Sequence, residues 1–133
     1  DVPNYTGSED GLTYYYQEMS RRYPNISYFY STTRAVISAS ANRLTGTIWS
    51  VAEQKIYASK THDIDTIVDR VGAGDALSGG VLHGILAKQT PQEIIDFGTA
   101  AAALKHTIKG DCNQFSTAEV ASFLASGSGK IIR

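Results

Sequence analysis

The fold is decided by one stretch of sequence, Asp69-Arg70-Val71-Gly72-Ala73-Gly74-Asp75-Ala76-Leu77-Ser78-Gly79-Gly80. Immediately after its first glycines, Leu77, Val81 and Ile85 recur at the i, i+4 spacing of an apolar helix face. This spacing predicts a helix over about residues 74 to 88. A glycine-rich loop therefore leads directly into a helix.

The small residues at this helix N-terminus predict an anion site. Backbone N–H groups there are not shielded by side chains, and the helix dipole adds partial positive charge. Asp75 stands at the same point, where a carboxylate would repel phosphate unless it had another task, such as taking a proton from an attacking hydroxyl. The alternative is that Asp75 only stabilises the first helical turn, by about 0.3–1 kcal/mol. The residues alone leave both roles open.

Two familiar phosphate-binding motifs fail on spacing. The third glycine of the dinucleotide fingerprint is replaced by Leu77, and no Gly-Lys-Ser/Thr of a P-loop follows. Gly79 and Gly80 inside the helix cost roughly 1 kcal/mol each relative to Ala. Close packing against the sheet explains them better than the approach of a ligand does.

Local patterns predict the remaining elements. Capping residues and helical spacing predict a helix over about residues 9–22. A second helix opens at the capping box Thr90-Pro91-Gln92-Glu93, and the box Ser116-Thr117-Ala118-Glu119 predicts a last helix over about residues 117–125. A buried strand is predicted over residues 26–33, a hairpin or pair of edge strands over 45–51 and 55–59, and a further strand over 34–40. Strands followed by consecutive helices indicate an α/β sheet with helices packed on its faces.

Composition excludes several classes of protein. The apolar fraction is 42% and the charged fraction 19%, and no apolar run reaches the roughly 18 residues of a membrane-spanning helix. The formal net charge of -1 leaves no positive field to attract nucleic acid. We therefore expect neither a membrane nor a nucleic acid as partner.

The remaining sequence signals concern compartment and chain extent. Cys112 is the single cysteine, and no secretion signal is visible, so a cytoplasmic protein is expected. The three histidines lack metal-ligand spacing and are interpreted as packing or surface residues: His62, His83 and His106. The chain opens on a loop-like segment without an initiator Met, so we expect a fragment.

Residues 69 to 82 resemble the C-terminal signature of the ribokinase-like (PfkB) carbohydrate kinases, whose core reads Asp-Thr-x-Gly-Ala-Gly-Asp. The stretch Phe97-Gly98-Thr99-Ala100 and then Lys109-Gly110 also matches. The resemblance implies the three-layer, ribokinase-like α/β fold. It also implies that residues 1–133 form the C-terminal, ATP-binding part, without the N-terminal sugar-binding half and lid.

The same resemblance implies roles for individual residues. Asp75 would be the catalytic base, and Gly72, Ala73 and Gly74 would form the anion hole. Thr99 would lie near the adenine, and Thr32 and Arg34 fall where the nucleotide-contacting Thr-x-Gly stands. Two positions depart from the pattern, because Arg70 replaces a Thr and Arg34 replaces that glycine. A guanidinium at position 34 can still serve a phosphate.

The implied activity is transfer of the γ-phosphate of ATP, with Mg²⁺, to a hydroxyl of a sugar or sugar acid. The stretch from Thr32 to Asp111 looks most similar to a 2-keto-3-deoxygluconate kinase branch, with another sugar, as in ribokinases or fructokinases, as an alternative. Asp69 matches a carboxylate that binds a monovalent cation such as K⁺. A non-catalytic nucleotide-binding or regulatory module, a purely structural domain and a homo-oligomer stay open. The isolated chain is expected to be inactive.

Overall fold

The computed structural model describes residues 9–126, except the side chains of Glu9 and Asp10. The elements run in the order α1 (Glu9–Arg22), β1 (Tyr28–Val36), β2 (Asn42–Ser50), β3 (Lys55–Ala58), β4 (His62–Ile64), α2 (Ala73–Leu86), α3 (Pro91–Lys105) and α4 (Thr117–Ala125). All four helices lie where capping residues and apolar spacing predict them. None of the helices in this range has the length and apolar character needed to cross a bilayer.

The strands form a small antiparallel sheet with β2 at its centre. β2 pairs with β1 on one side, and with β3 and β4 along successive parts of the other. The predicted hairpin of β2 and β3 is confirmed. Because alternate residues of a strand face opposite sides, β2 presents two different faces to the helices on either side of it.

One face of the sheet is covered by α1. Tyr16 of α1 is buried and stacks on Phe29 and Trp49, with ring centroids 6.3 and 6.4 Å apart. Its hydroxyl forms a hydrogen bond with the Ser31 hydroxyl at 2.7 Å, so the polar end of the ring is satisfied.

The opposite face is covered by α3, which carries α2 and α4. Leu44 and Ile48 of β2 pack in one core with Ile94 and Ile95 of α3. The α/β fold with helices on both faces of a short sheet, as the family resemblance implies, is confirmed.

A glycine pair lets α2 and α3 approach closely. A Cβ on Gly80 would lie 2.7 Å from the Cα of Gly98, inside van der Waals contact, whereas a Cβ on Gly79 would meet nothing within 4 Å. The packing explanation therefore holds for Gly80, but the partner is α3 and not the sheet. Gly79 faces open space.

Three strand predictions need correction. β1 continues to Val36, and the segment after it turns back, because Ile37 and Ser38 both donate backbone N–H groups to the Ala41 carbonyl. β1 is also less buried than predicted, because in the described sheet one edge of this strand is unpaired. Phe29 is its only buried residue. β4 was not predicted, because three residues, two of them polar, are too short for a recognisable alternation.

Candidate active site

The turn before α2 has a left-handed backbone that only glycine adopts at low cost. Gly72 is the residue before the first turn of α2 and has φ of +80°. A Cβ at this position would also overlap the carbonyl oxygen of Asp111, which lies directly against it. The sequence therefore requires glycine here for two independent reasons.

This turn leaves backbone N–H groups available at the helix N-terminus. No side chain caps α2, and the first of its N–H groups with a backbone acceptor is that of Ala76, which donates to the Gly72 carbonyl at 2.9 Å. In the described part of the chain, the N–H groups of Gly72, Ala73 and Gly74 donate no hydrogen bond. Together with the dipole of a 14-residue helix, they form a site suited to an anion.

A cavity of about 350 Å³ with basic side chains lies on one side of this turn, and we call it the cationic cavity. Arg34 from β1 and Arg70 from the loop before α2 supply its charge. Leu44, Leu77 and Ala102 supply apolar walls. The other lining residues are Thr32, Ala73, Gly74 and His106.

A second cavity, of about 290 Å³, lies on the other side of the same turn, and we call it the acidic cavity. Asp75 and Asp111 both line it, with Gly72 between their segments. The Asp75 side chain is exposed and takes part in no ion pair within residues 9–126. The rest of the lining is Ala76, Gly79, Gly80, His83, Phe97, Ala101, Asn113, Phe115, Thr117 and Val120.

His106 lines the cationic cavity and is itself buried. Its Nδ1–H donates to the Ala102 carbonyl at 2.7 Å, which fixes the tautomer and the ring orientation. Burial lowers the pKa of His106, and the nearby charges of Arg34 and Lys105 lower it further. The imidazole is therefore neutral near pH 7.

Asp69 ties the loop before α2 to the turn that follows α3. Its Oδ1 accepts the Val71 N–H at 3.0 Å, and its Oδ2 accepts the Gly110 N–H at 2.9 Å. These two backbone hydrogen bonds, that of Val71 first, hold the pKa of Asp69 below its usual range. The carboxylate is therefore ionised and already serves two donors.

The structure brings together most of the predicted site residues. Thr32, Arg34, Ala73 and Gly74 line the cationic cavity, and Gly72 and Asp75 line the acidic one. Thr99 lines neither cavity. It is fully buried beneath Gly46 and donates its hydroxyl to the Ile95 carbonyl at 2.7 Å, so a contact with adenine has no support in this geometry.

Three residues of the site were not assigned to it from the sequence. Asp111 lines the acidic cavity, and Arg70 and His106 line the cationic one. Arg70 is a departure from the family pattern with no predicted role, and the sequence predicts His106 only as a packing or surface residue. Asp111 follows the Lys109-Gly110 pair, and that position beside a family motif was the available signal.

Comparisons with curated proteins find two relatives. A 2-dehydro-3-deoxygalactonokinase of Haloferax volcanii is 35% identical over 78 residues, which are 59% of this chain and 24% of that protein. A 2-dehydro-3-deoxygluconokinase of Bacillus subtilis is 39% identical over 64 residues, 47% of this chain and 20% of that protein.

Solved structures agree with the sequence relatives. A PfkB family carbohydrate kinase from Listeria grayi matches with a TM-score of 0.80 and 47% identity, over 90% of this chain and 36% of that one. A 2-dehydro-3-deoxygluconokinase from Thermotoga maritima matches with a TM-score of 0.83 and 30% identity, over 94% and 37%. The chain thus spans well under half the length of each of these relatives. A model of the pfkB family carbohydrate kinases matches residues 34–118, which is more than half of the chain, and the chain therefore belongs to the PfkB carbohydrate kinase family.

Proposed function

We propose that this chain is the C-terminal, phosphoryl-transfer part of a kinase that moves the γ-phosphate of ATP to a hydroxyl of a sugar acid. One observation carries the proposal: the uncapped N-terminus of α2 lies between a cationic and an acidic cavity. Phosphoryl transfer needs positive charge on the nucleotide side and a proton acceptor on the side of the attacking hydroxyl. The two cavities divide these tasks.

The cationic cavity is the proposed nucleotide site. Arg34 and Arg70 can bind phosphate oxygens, and guanidinium groups do so with strong, charge-assisted hydrogen bonds. The apolar wall formed by Leu44, Leu77 and Ala102 suits a flat base. Mg²⁺ would enter with the nucleotide, bound largely through phosphate oxygens, where it neutralises charge.

The acidic cavity is the proposed acceptor site. Asp75 stands at the N-terminus of α2, beside the N–H groups that would hold the transferred phosphoryl group. An exposed carboxylate can take the proton of the attacking hydroxyl as the phosphoryl group moves across the turn, and general-base help of this kind typically contributes about 10²–10⁴-fold to the rate. Asp111 faces the same cavity and can accept a second hydroxyl of the sugar, orienting it.

The acceptor class is inferred from the relatives. The two curated relatives are named as kinases of 2-dehydro-3-deoxy sugar acids, and so is the structure from Thermotoga maritima. We infer 2-keto-3-deoxygluconate, or its C4 epimer, as the acceptor. Sugar-binding segments outside this chain would complete the site, and for that reason we infer that residues 1–133 alone are inactive.

A substrate panel on the full-length protein tests the proposal. We expect ATP-dependent phosphorylation of 2-keto-3-deoxygluconate, or of its galactonate epimer, detected by mass spectrometry of the product, and much slower turnover of ribose and fructose. If ATP binds and neither sugar acid is phosphorylated, the kinase proposal is wrong and a non-catalytic nucleotide-binding module is favoured instead.

A further inference from the structure

A buried lysine lies at the end of α3 without a carboxylate partner. Lys105 has 0% of its surface exposed. Its Nζ donates to the Ile108 carbonyl at 3.4 Å, and in the described chain no carboxylate lies within ion-pair distance of it. A buried ammonium is unfavourable unless fixed groups compensate for its lost hydration, so this position calls for a specific explanation.

Lys105 belongs to the junction between the loop before α2 and the turn after α3. The N–H groups of Val68 and Asp69 both donate to the His106 carbonyl, at 2.8 and 3.2 Å. In the other direction, the Gly110 N–H donates to the Asp69 carboxylate at 2.9 Å. One residue further along, the Asp111 carbonyl lies against Gly72. The junction therefore sets the position of the turn that exposes the anion-binding amides.

We propose that the Lys105 ammonium is a built-in cation that holds this junction, and through it the Gly72 turn, in the geometry that binds the transferred phosphoryl group. Lys105 touches neither cavity, so its role is positioning. The expected effect on kcat rests on the proposed function. The expected effect on the geometry of the junction does not, because the junction is formed without a substrate.

The chain's own donors already occupy part of the oxygen set that would hold the monovalent cation implied at Asp69 by the family resemblance. Both carboxylate oxygens of Asp69 already accept backbone N–H groups. The Ile108 carbonyl, in the turn that follows α3, already accepts a hydrogen bond from the Lys105 ammonium. Hydrogen bonds from Val71 and Gly110 chiefly lower the pKa of Asp69, and the charge of Lys105 adds to them. The chain itself therefore supplies a positive charge at the junction, and we infer that the folded protein does not need K⁺ there.

The test compares Lys105→Met with Lys109→Met in the full-length protein. Met has a similar length and no charge, and Lys109 is an exposed lysine of the same turn. Kinetics are measured in KCl and in choline chloride at equal ionic strength. We expect the kcat of wild type, and likewise that of Lys109→Met, to change by less than about 2-fold between the two salts. We expect Lys105→Met to lose on the order of 10²-fold in kcat, with a smaller change in KM for the sugar, as for a misplaced catalytic group.

Two further measurements need no turnover. We expect the thermal midpoint of wild type to be the same in both salts, and Lys105→Met to speed hydrogen exchange at the Val71 and Gly110 amides relative to Lys109→Met. Specific activation or stabilisation of wild type by K⁺ overturns the proposal, even if Lys105→Met fails to fold. Unchanged kcat or unchanged exchange in a folded Lys105→Met overturns it as well. A wild type without kinase activity in either salt refutes the proposed function alone and leaves the exchange result to decide.

Discussion

Gly72 lies directly against the backbone carbonyl of Asp111, with no room for a Cβ between them. This contact joins the N-terminus of α2 to a turn that is 39 residues further along the chain by its numbering, and that turn also places Asp111 in the acidic cavity. The amides proposed to hold the phosphoryl group and a carboxylate proposed to hold the acceptor are therefore fixed relative to each other by one backbone contact.

Replacing Gly72 by Ala should destabilise the folded protein. Alanine is strained at a φ of +80°, and its Cβ would push the Asp111 carbonyl away. We expect the free energy of unfolding, measured in urea, to fall by about 1–3 kcal/mol, the usual cost of such backbone strain. Gly79→Ala is the matched control, because its Cβ meets nothing within 4 Å, and it should be neutral or stabilising by up to about 1 kcal/mol. Equal effects of the two changes would contradict this account.

Asp75→Asn should abolish turnover and leave nucleotide binding intact. The amide keeps the shape of the carboxylate but cannot take a proton, so kcat is expected to fall by about 10²–10⁴-fold. The affinity for ATP, measured by calorimetry, should stay within a few-fold of wild type, because Asp75 faces the other cavity. Near-normal kcat would show that Asp75 only stabilises the first turn of α2.

Arg34→Met should weaken ATP binding more than it slows turnover at saturation. Arg34 lines the cationic cavity, and a hydrogen bond to a charged group is worth about 1.5–3 kcal/mol. We expect KM for ATP to rise roughly 10- to 100-fold by that measure. Arg43→Met is the control, since Arg43 pairs with Asp63 at 2.8 Å and lines neither cavity. If both variants bind ATP like wild type, the nucleotide does not lie in this cavity.

The elements that sequence reasoning predicted best are those defined by local chemistry. Both capping boxes, Thr90 with Glu93 and Ser116 with Glu119, form as predicted, and α3 and α4 begin where these boxes place them. The glycine-rich loop before α2 was predicted for the same reason, because the residues that signal it are neighbours in the sequence.

The features that sequence reasoning missed depend on contacts between distant segments. The burial of Lys105 cannot be read from its position near the end of a helix, where a lysine normally stabilises the dipole from solvent. Thr99 was placed near the adenine by its motif, but the missing side chain of Gly46 lets α3 approach the sheet and buries it. The aromatic residues of β1 predict a buried strand, yet Phe29 is the only buried residue among Tyr28–Val36.

Acidification should destabilise the protein through His62, which is buried in β4 and stacks on Phe123 of α4 with ring centroids 5.2 Å apart. Burial lowers the pKa of His62, a shift opposed by the charge of Asp96, while Lys60 adds to it and Asp63 opposes it. The His62 imidazole of the unfolded chain binds a proton at about pH 6.5, whereas that of the folded chain binds one only at lower pH. The folded state therefore keeps its full stability above about pH 6.5 and loses part of it as the pH falls below that value. His62→Gln should therefore show a shallower loss of unfolding free energy between about pH 7 and 5 than wild type. The exposed His83 supplies the control variant, His83→Gln, and an equal slope in His62→Gln and wild type would refute the prediction.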